Sequence, residues 1–140
     1  MQHSTVQGHL AMNLVVSPEL SFPIVVDLGY EAGDPYAVRF TFHLPGDAPV
    51  TWVFARELLL DGLGGPSGEG DVRIGPLGGE PAEVSIALCS PNGHAVLHAR
   101  AAALAAFLAR ADRLVPVGRE SIGKELDAEL ADILRGCDAG

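Results

Sequence analysis

Positive charge is scarce in this sequence: nine Lys+Arg stand against eighteen Asp+Glu, a formal net charge of −9. A field of that sign repels the DNA backbone and anionic lipid headgroups, so nucleic acid and bare membrane are poor partners. The arginines (Arg39, Arg56, Arg73, Arg100, Arg110, Arg113, Arg119, Arg135) are scattered, with only Arg110 and Arg113 near each other, and build no basic run. Cysteine is nearly absent as well. Cys89 and Cys137 form neither a C-x-x-C pair nor the spacing of a zinc site, which fits a reduced, cytosolic chain. No apolar run approaches the ~20 residues a helix needs to cross a bilayer, so direct membrane insertion is not expected. Residues Met1 to Gly8 carry no basic residue ahead of the first apolar stretch, and no secretory signal is expected there.

The sequence does have apolar residues throughout. They make up 48% of its 140 residues, only 6% being aromatic, and this excludes a disordered chain of low hydrophobicity. That length suits one domain, spanning residues 1–140, with 1–8 and 137–140 expected as flexible ends. From Leu10 to Tyr30 the β-branched clusters Leu14-Val15-Val16 and Ile24-Val25-Val26 predict two strands. Val38, Phe40, Phe42 and Leu44 alternate with Arg39, Thr41 and His43, the clearest strand pattern in the chain. After the Pro45 to Pro49 turn, Val50 to Val53 resumes the alternation, and Phe54 to Asp61 predicts a short helix ended by Gly62.

Gly64 to Gly70 is dominated by glycine and proline and is expected to be a mobile loop. Strands return at Asp71 to Ile74 and at Val84 to Leu88, the latter joined to His94 to His98 by the turn Ser90-Pro91-Asn92-Gly93. A helix over Arg100 to Arg113 places Leu104, Phe107, Leu108 and Ala111 on one side. Beyond Pro116-Val117-Gly118, Ser121 caps an expected last helix whose stripe is Leu126, Leu130, Ile133 and Leu134, with Gly136 closing it. Hairpin-linked strands followed by helices predict an α+β fold with antiparallel sheets packed against helices, since parallel pairs need a crossover between strands. Four strands and a helix, three or four strands and a helix, then a terminal helix suggest a loose structural duplication.

No motif with a chemical mechanism emerges. Gly62-Leu63-Gly64-Gly65-Pro66-Ser67 has serine where a third glycine belongs and leads into a strand instead of a helix N-terminus, so a nucleotide cradle is not expected. His94 and His98 are four apart on a strand, about 13 Å along it at ~3.3 Å per residue, too far to share one metal. His43 and Cys89 could join either one through strand pairing, yet no second close ligand pair exists, so a metal site is not expected. There is no Gly-x-Ser-x-Gly, and Cys89 reads as a packed thiol at the end of an apolar strand. Glu57, Asp61, Glu69, Asp71 and Glu80 read as a solvated acidic surface. Trp52 alternates with Val50 and is expected in the core. No catalytic, cofactor-binding or metal-binding residue is assigned, and a protein-binding module is the leading expectation; a small enzyme is the other option, and it requires a pocket gathering His43, His94 or Cys89 with carboxylates.

Asp34-Pro35-Tyr36-Ala37-Val38, Thr41-Phe42-His43, Trp52-Val53-Phe54-Ala55-Arg56-Glu57-Leu58-Leu59, Gly70-Asp71-Val72-Arg73, Ser90-Pro91-Asn92-Gly93 and Phe107-Leu108 stand in an order and spacing that resemble the SsgA-like proteins of filamentous actinomycetes. The resemblance runs from about Leu10 to Leu134 and is nearest the SsgB-type branch. It implies a cytoplasmic, non-enzymatic adaptor of sporulation and cell division that helps localise the tubulin-like GTPase FtsZ at the division septum, with an SsgA-type activator. It further implies a whirly-like fold and an oligomer, expected to be a trimer. Whirly relatives bind single-stranded nucleic acid, which makes that the competing reading, but the acidic balance argues against it. The family motifs assign no residue to FtsZ contact. The apolar stripes of the two long helices or an open sheet edge are the surfaces expected to build the oligomer, leaving the Gly64 to Gly70 loop free.

Overall fold

A computed structural model describes residues 4–91 and 93–117 of the chain. Seven strands and two helices follow one another as β1 (Thr5–Ser17), β2 (Leu20–Glu31), β3 (Asp34–His43), β4 (Val50–Ala55), α1 (Arg56–Gly64), β5 (Val72–Gly78), β6 (Glu83–Ser90), β7 (Gly93–Arg100) and α2 (Ala101–Leu114). Period-two alternation is what makes the strands. In β3 it buries Val38, Phe40 and Phe42 while Arg39 and His43 stay exposed, and in β6 it buries Val84, Ile86 and Leu88.

The strands form one antiparallel sheet in the order β4-β3-β2-β1-β7-β6-β5, where the sequence suggested more than one sheet. Two-residue turns close β1–β2, β2–β3 and β6–β7, as the pairs Ser17↔Leu20, Glu31↔Asp34 and Ser90↔Gly93 record. The sheet curls: Trp52 of β4 and His94 of β7 line one hollow although β3, β2 and β1 lie between their strands. Both helices pack within that curl. Leu104, Phe107, Leu108 and Ala111 of α2 are all buried, as their helical spacing predicts.

Each helix grows straight out of a strand. Ala55 (φ −64°, ψ 132°) and Arg100 (φ −68°, ψ 128°) have nearly the same extended geometry immediately before α1 and α2. Four strands lead into the first junction and three into the second.

β1 is longer than its β-branched cluster suggests. It starts at Thr5, and Ser4 O accepts a bond from Ala32 N at 3.0 Å, so residues 5–8, expected as part of a flexible end, belong to the sheet. Residues 137–140 and the expected helix with Leu126, Leu130, Ile133 and Leu134 lie outside the described residues. β1 pairs with β2 along its length but with β7 only over Asn13 to Val15. Where β7 has departed, α2 takes over: Arg110 Nη2 donates to Gln7 O at 2.9 Å, and Gly8 lets Phe107 approach so closely that a Cβ there would sit 3.2 Å from its ring.

The core lies between the concave face and the helices. Phe40 and Phe54 meet edge to face at 4.7 Å between centroids, an arrangement that adds about 0.5–1.5 kcal/mol beyond area burial. Trp52 is only half-buried, stacking 6.2 Å from Phe54, because β4 begins at the open end of the curl where Val50 is 40% exposed.

Candidate functional site

The residues singled out for metal or nucleophilic chemistry are dispersed by this topology. His43 projects from the convex face of β3 and bonds Asp27 of β2, Nε2 to Oδ2 2.7 Å, with both side chains largely exposed. His98 stands between Asn13 and Ser85 in the sheet, and His94 sits at the hairpin end opposite Cys89. β2 and β1 separate His43 from that pair. No group of three or more His, Cys, Asp or Glu residues able to hold a metal ion exists among the described residues. Cys89 is exposed and not packed. With Val84, Ile86 and Leu88 inward, the period of two turns residue 89 outward.

The glycine-rich segment is also placed differently. α1 continues through Gly62 to Gly64, so the candidate phosphate loop is partly helix C-terminus, where carbonyls and not amides are free. Its remainder is anchored, contrary to the expected mobility: Ser67 and Ile74 exchange backbone bonds of 2.7 and 2.9 Å. That bridge lets the loop lie along the outer edge of β5. Glu57, Asp61, Glu69, Asp71 and Glu80 are all exposed and lie apart from any shared hollow.

Two concave features stand out. The first, at the open end, has about 240 Å³ between Trp52, Leu88, Ser90, Gly93, His94 and Ala95, and carries no carboxylate. The second is a trough of about 400 Å³ on the convex face, lined by Gln7, Gly8, His9, Asp27, Leu28, Gly29, Arg39 and Thr41. Strand register builds it: Gln7↔Gly29↔Arg39↔Val53 form one row across β1, β2, β3 and β4, and His9↔Asp27↔Thr41↔Thr51 form the next.

The surfaces expected to build an oligomer are sorted by burial. The stripe of α2 is consumed by its own core and is unavailable to a second copy. The sheet edges differ. β5 carries Pro76 and the Ser67 bridge, both of which blunt an edge, whereas β4 presents Val50-Thr51-Trp52-Val53-Phe54-Ala55 without proline or charge.

Arg56 escaped the reading of the sequence. It is 1% exposed, its Nη1 donates to Val115 O at 2.6 Å, and its guanidinium lies 5.2 Å from the Tyr30 ring centroid. The signal was present in the spacing: Trp52, Phe54 and Arg56 continue one inward alternation past the end of β4. Arg56 thus ties the start of α1 to the end of α2.

Comparison with known proteins identifies the fold and the kinship together. Residues 24–120 match the family described as Streptomyces sporulation and cell division protein, SsgA. The chain is 48% identical over 133 residues to the sporulation-specific cell division protein SsgB of Streptomyces coelicolor, covering 94% of this chain and 97% of that one. It is 45% identical over 132 residues to SsgB of Thermobifida fusca, covering 94% and 96%. The crystal structure of the SsgA-like sporulation-specific cell division protein from Thermobifida fusca superposes with a TM-score of 0.83 at 45% identity, covering 92% of this chain and 95% of that one. A structure from a study of SsgB mutations that correlate with longitudinal cell division in Streptomyces coelicolor superposes with a TM-score of 0.82 at 48% identity, covering 85% and 94%. The chain belongs to the SsgA family of sporulation and cell-division proteins.

Proposed function

We propose that this protein is a non-enzymatic adaptor of sporulation-specific cell division that helps localise FtsZ at septum sites, acting with an SsgA-type activator. The observation that carries the reading is near-full-length kinship with SsgB proteins, whose names place them in that process. The separation of His43 on β3 from His94, His98 and Cys89 on β7 and β6 agrees with a binding role. Among the described residues no helix is long and apolar enough to cross a membrane.

The mechanism is multivalency. A trimer presents the same weak patch three times, and a polymeric partner such as FtsZ offers repeated sites, so avidity gains of order 10²–10⁴ arise without any single strong contact. The uncapped β4 edge is the surface we assign to contact between copies, because its exposed, uncharged strand is a template for pairing. The matching strand-to-helix junctions at Ala55 and Arg100 support reading the chain as a whirly-like duplication. Single-stranded nucleic-acid binding, the role of whirly relatives, is disfavoured: Arg39 and Arg73 stand on strands five places apart in the sheet, and the net charge is −9.

Co-sedimentation with FtsZ polymers, run beside native mass measurement, tests the reading. Pelleting that follows FtsZ concentration supports it. Failure of the trimer to pellet at any FtsZ concentration refutes it.

A further inference from the structure

Gly29 is a glycine that neither its own φ nor side-chain packing requires. Its backbone avoids positive φ, and a Cβ built on it meets nothing within 4 Å. Gly62 and Gly68, by contrast, have Ile74 and Val72 against them. A glycine inside a strand costs about 0.5–1 kcal/mol relative to alanine and marks a bulge or close approach from outside; Gly29 borders the register shift between β2 and β3 and also leaves open space above its backbone. The bare position is the floor of the 400 Å³ trough. Its walls, Gln7 and Arg39, stand on strands to either side, roughly 9–10 Å apart at ~4.8 Å per strand spacing, a gap that takes one extended chain.

The polar groups of the trough are unequal. Arg39 forms no hydrogen bond or ion pair among the described residues. Asp27 is engaged by His43, and Thr41 by Thr51 at 3.2 Å. The register between β2 and β3 shifts just past Gly29, and a second hollow of about 40 Å³ there shares Gly29 and Arg39 but is bounded by Glu31 and Asp34. Those two carboxylates repel a run of acids. One aliphatic side chain flanks Arg39 instead: Val53, its cross-strand neighbour, is 58% exposed and lines the smaller hollow.

We propose that this trough is a docking site for an extended segment of a partner protein carrying one carboxylate beside an aliphatic residue, the carboxylate on Arg39 and the backbone against Gly29. A guanidinium holds a carboxylate through two parallel N–H bonds, the geometry it offers best. Nucleic acid does not fit, because Asp27, Glu31 and Asp34 surround the single arginine. The inference stands apart from the FtsZ reading, since it rests on the trough alone.

The test uses the isotope-labelled full chain and the blocked tripeptide acetyl-Val-Glu-Val-amide, followed by amide chemical shifts. Shifts are expected at Gln7, Gly29, Arg39 and Thr41, saturating with Kd of order 1–10 mM, the scale of one charged pair. The Glu-to-Gln peptide is expected to bind about tenfold more weakly. R39Q is expected to lose the shifts by removing the charge, and G29V by filling the floor. Valine suits an open strand position, so G29V also keeps the fold, which its unchanged spectrum elsewhere verifies. Equal binding of the Glu and Gln peptides, wild-type binding by R39Q or G29V, shifts confined to another surface, or none at about 10 mM peptide overturns the proposal.

Discussion

Arg56 is the residue on which the packing of the helices turns. Its guanidinium is buried at the Val115 carbonyl and over Tyr30, whose own hydroxyl donates to Pro35 O at 2.9 Å. R56M keeps the apolar bulk but strands the carbonyl, and a loss of about 2–4 kcal/mol is expected. R56K is expected to recover little of it, because an ammonium lacks the planar fork and stacks poorly. Urea unfolding of the two variants measures both. The pair His43–Asp27 is the opposite case. Its side chains are 42% and 55% exposed, so H43A is expected to change stability by less than about 1 kcal/mol in the same experiment.

Among the elements, α1 and β5 are joined without spare room. Gly62 of α1 faces Ile74 so closely that an added Cβ would lie 2.7 Å from the isoleucine Cβ. Alanine is the better helix former by about 1 kcal/mol, yet here the clash dominates, and G62A is expected to destabilise by about 1–3 kcal/mol. Thermal unfolding checks the sign; a rise in Tm would show that α1 shifts freely over β5. Edge chemistry sets the other expectation at this scale. V50K places a charge at the start of the open β4 edge without touching the core, and if copies pair through that edge as proposed, native mass is expected to fall toward the monomer with the fold intact.

For the whole molecule, attachment to filaments is expected to follow copy number. If the trimer is the attaching species, a V50K monomer pellets with FtsZ polymers some 10²–10⁴ times less effectively than the parent, as the lost avidity dictates. Co-sedimentation over a range of FtsZ concentrations reads this directly. A monomer that pellets as well as the parent shows that one patch suffices.

Much of the architecture was legible because it follows from periodicity. The alternation in β3 and β6 and the stripe of α2 each specify which side chains are inward, and each appears with those residues buried. The last helix remains a reading of sequence alone. Parity also dictates that Cys89 faces outward and Arg56 inward, though residue type, an apolar thiol and a charged guanidinium, suggests the reverse. Local pattern does not reveal which strands become neighbours. That β1 leaves β7 after three pairs, that Ser67 reaches Ile74, and that Gly29 lies bare between Gln7 and Arg39 depend on pairings between distant segments. The sequence by itself therefore determined the inward faces of β3, β6 and α2 and the family, since these are encoded within a few residues or in matched motifs. Only the tertiary structure decided the single curled sheet, its unequal edges and the trough, because long-range strand registry sets where side chains gather and where they leave a gap.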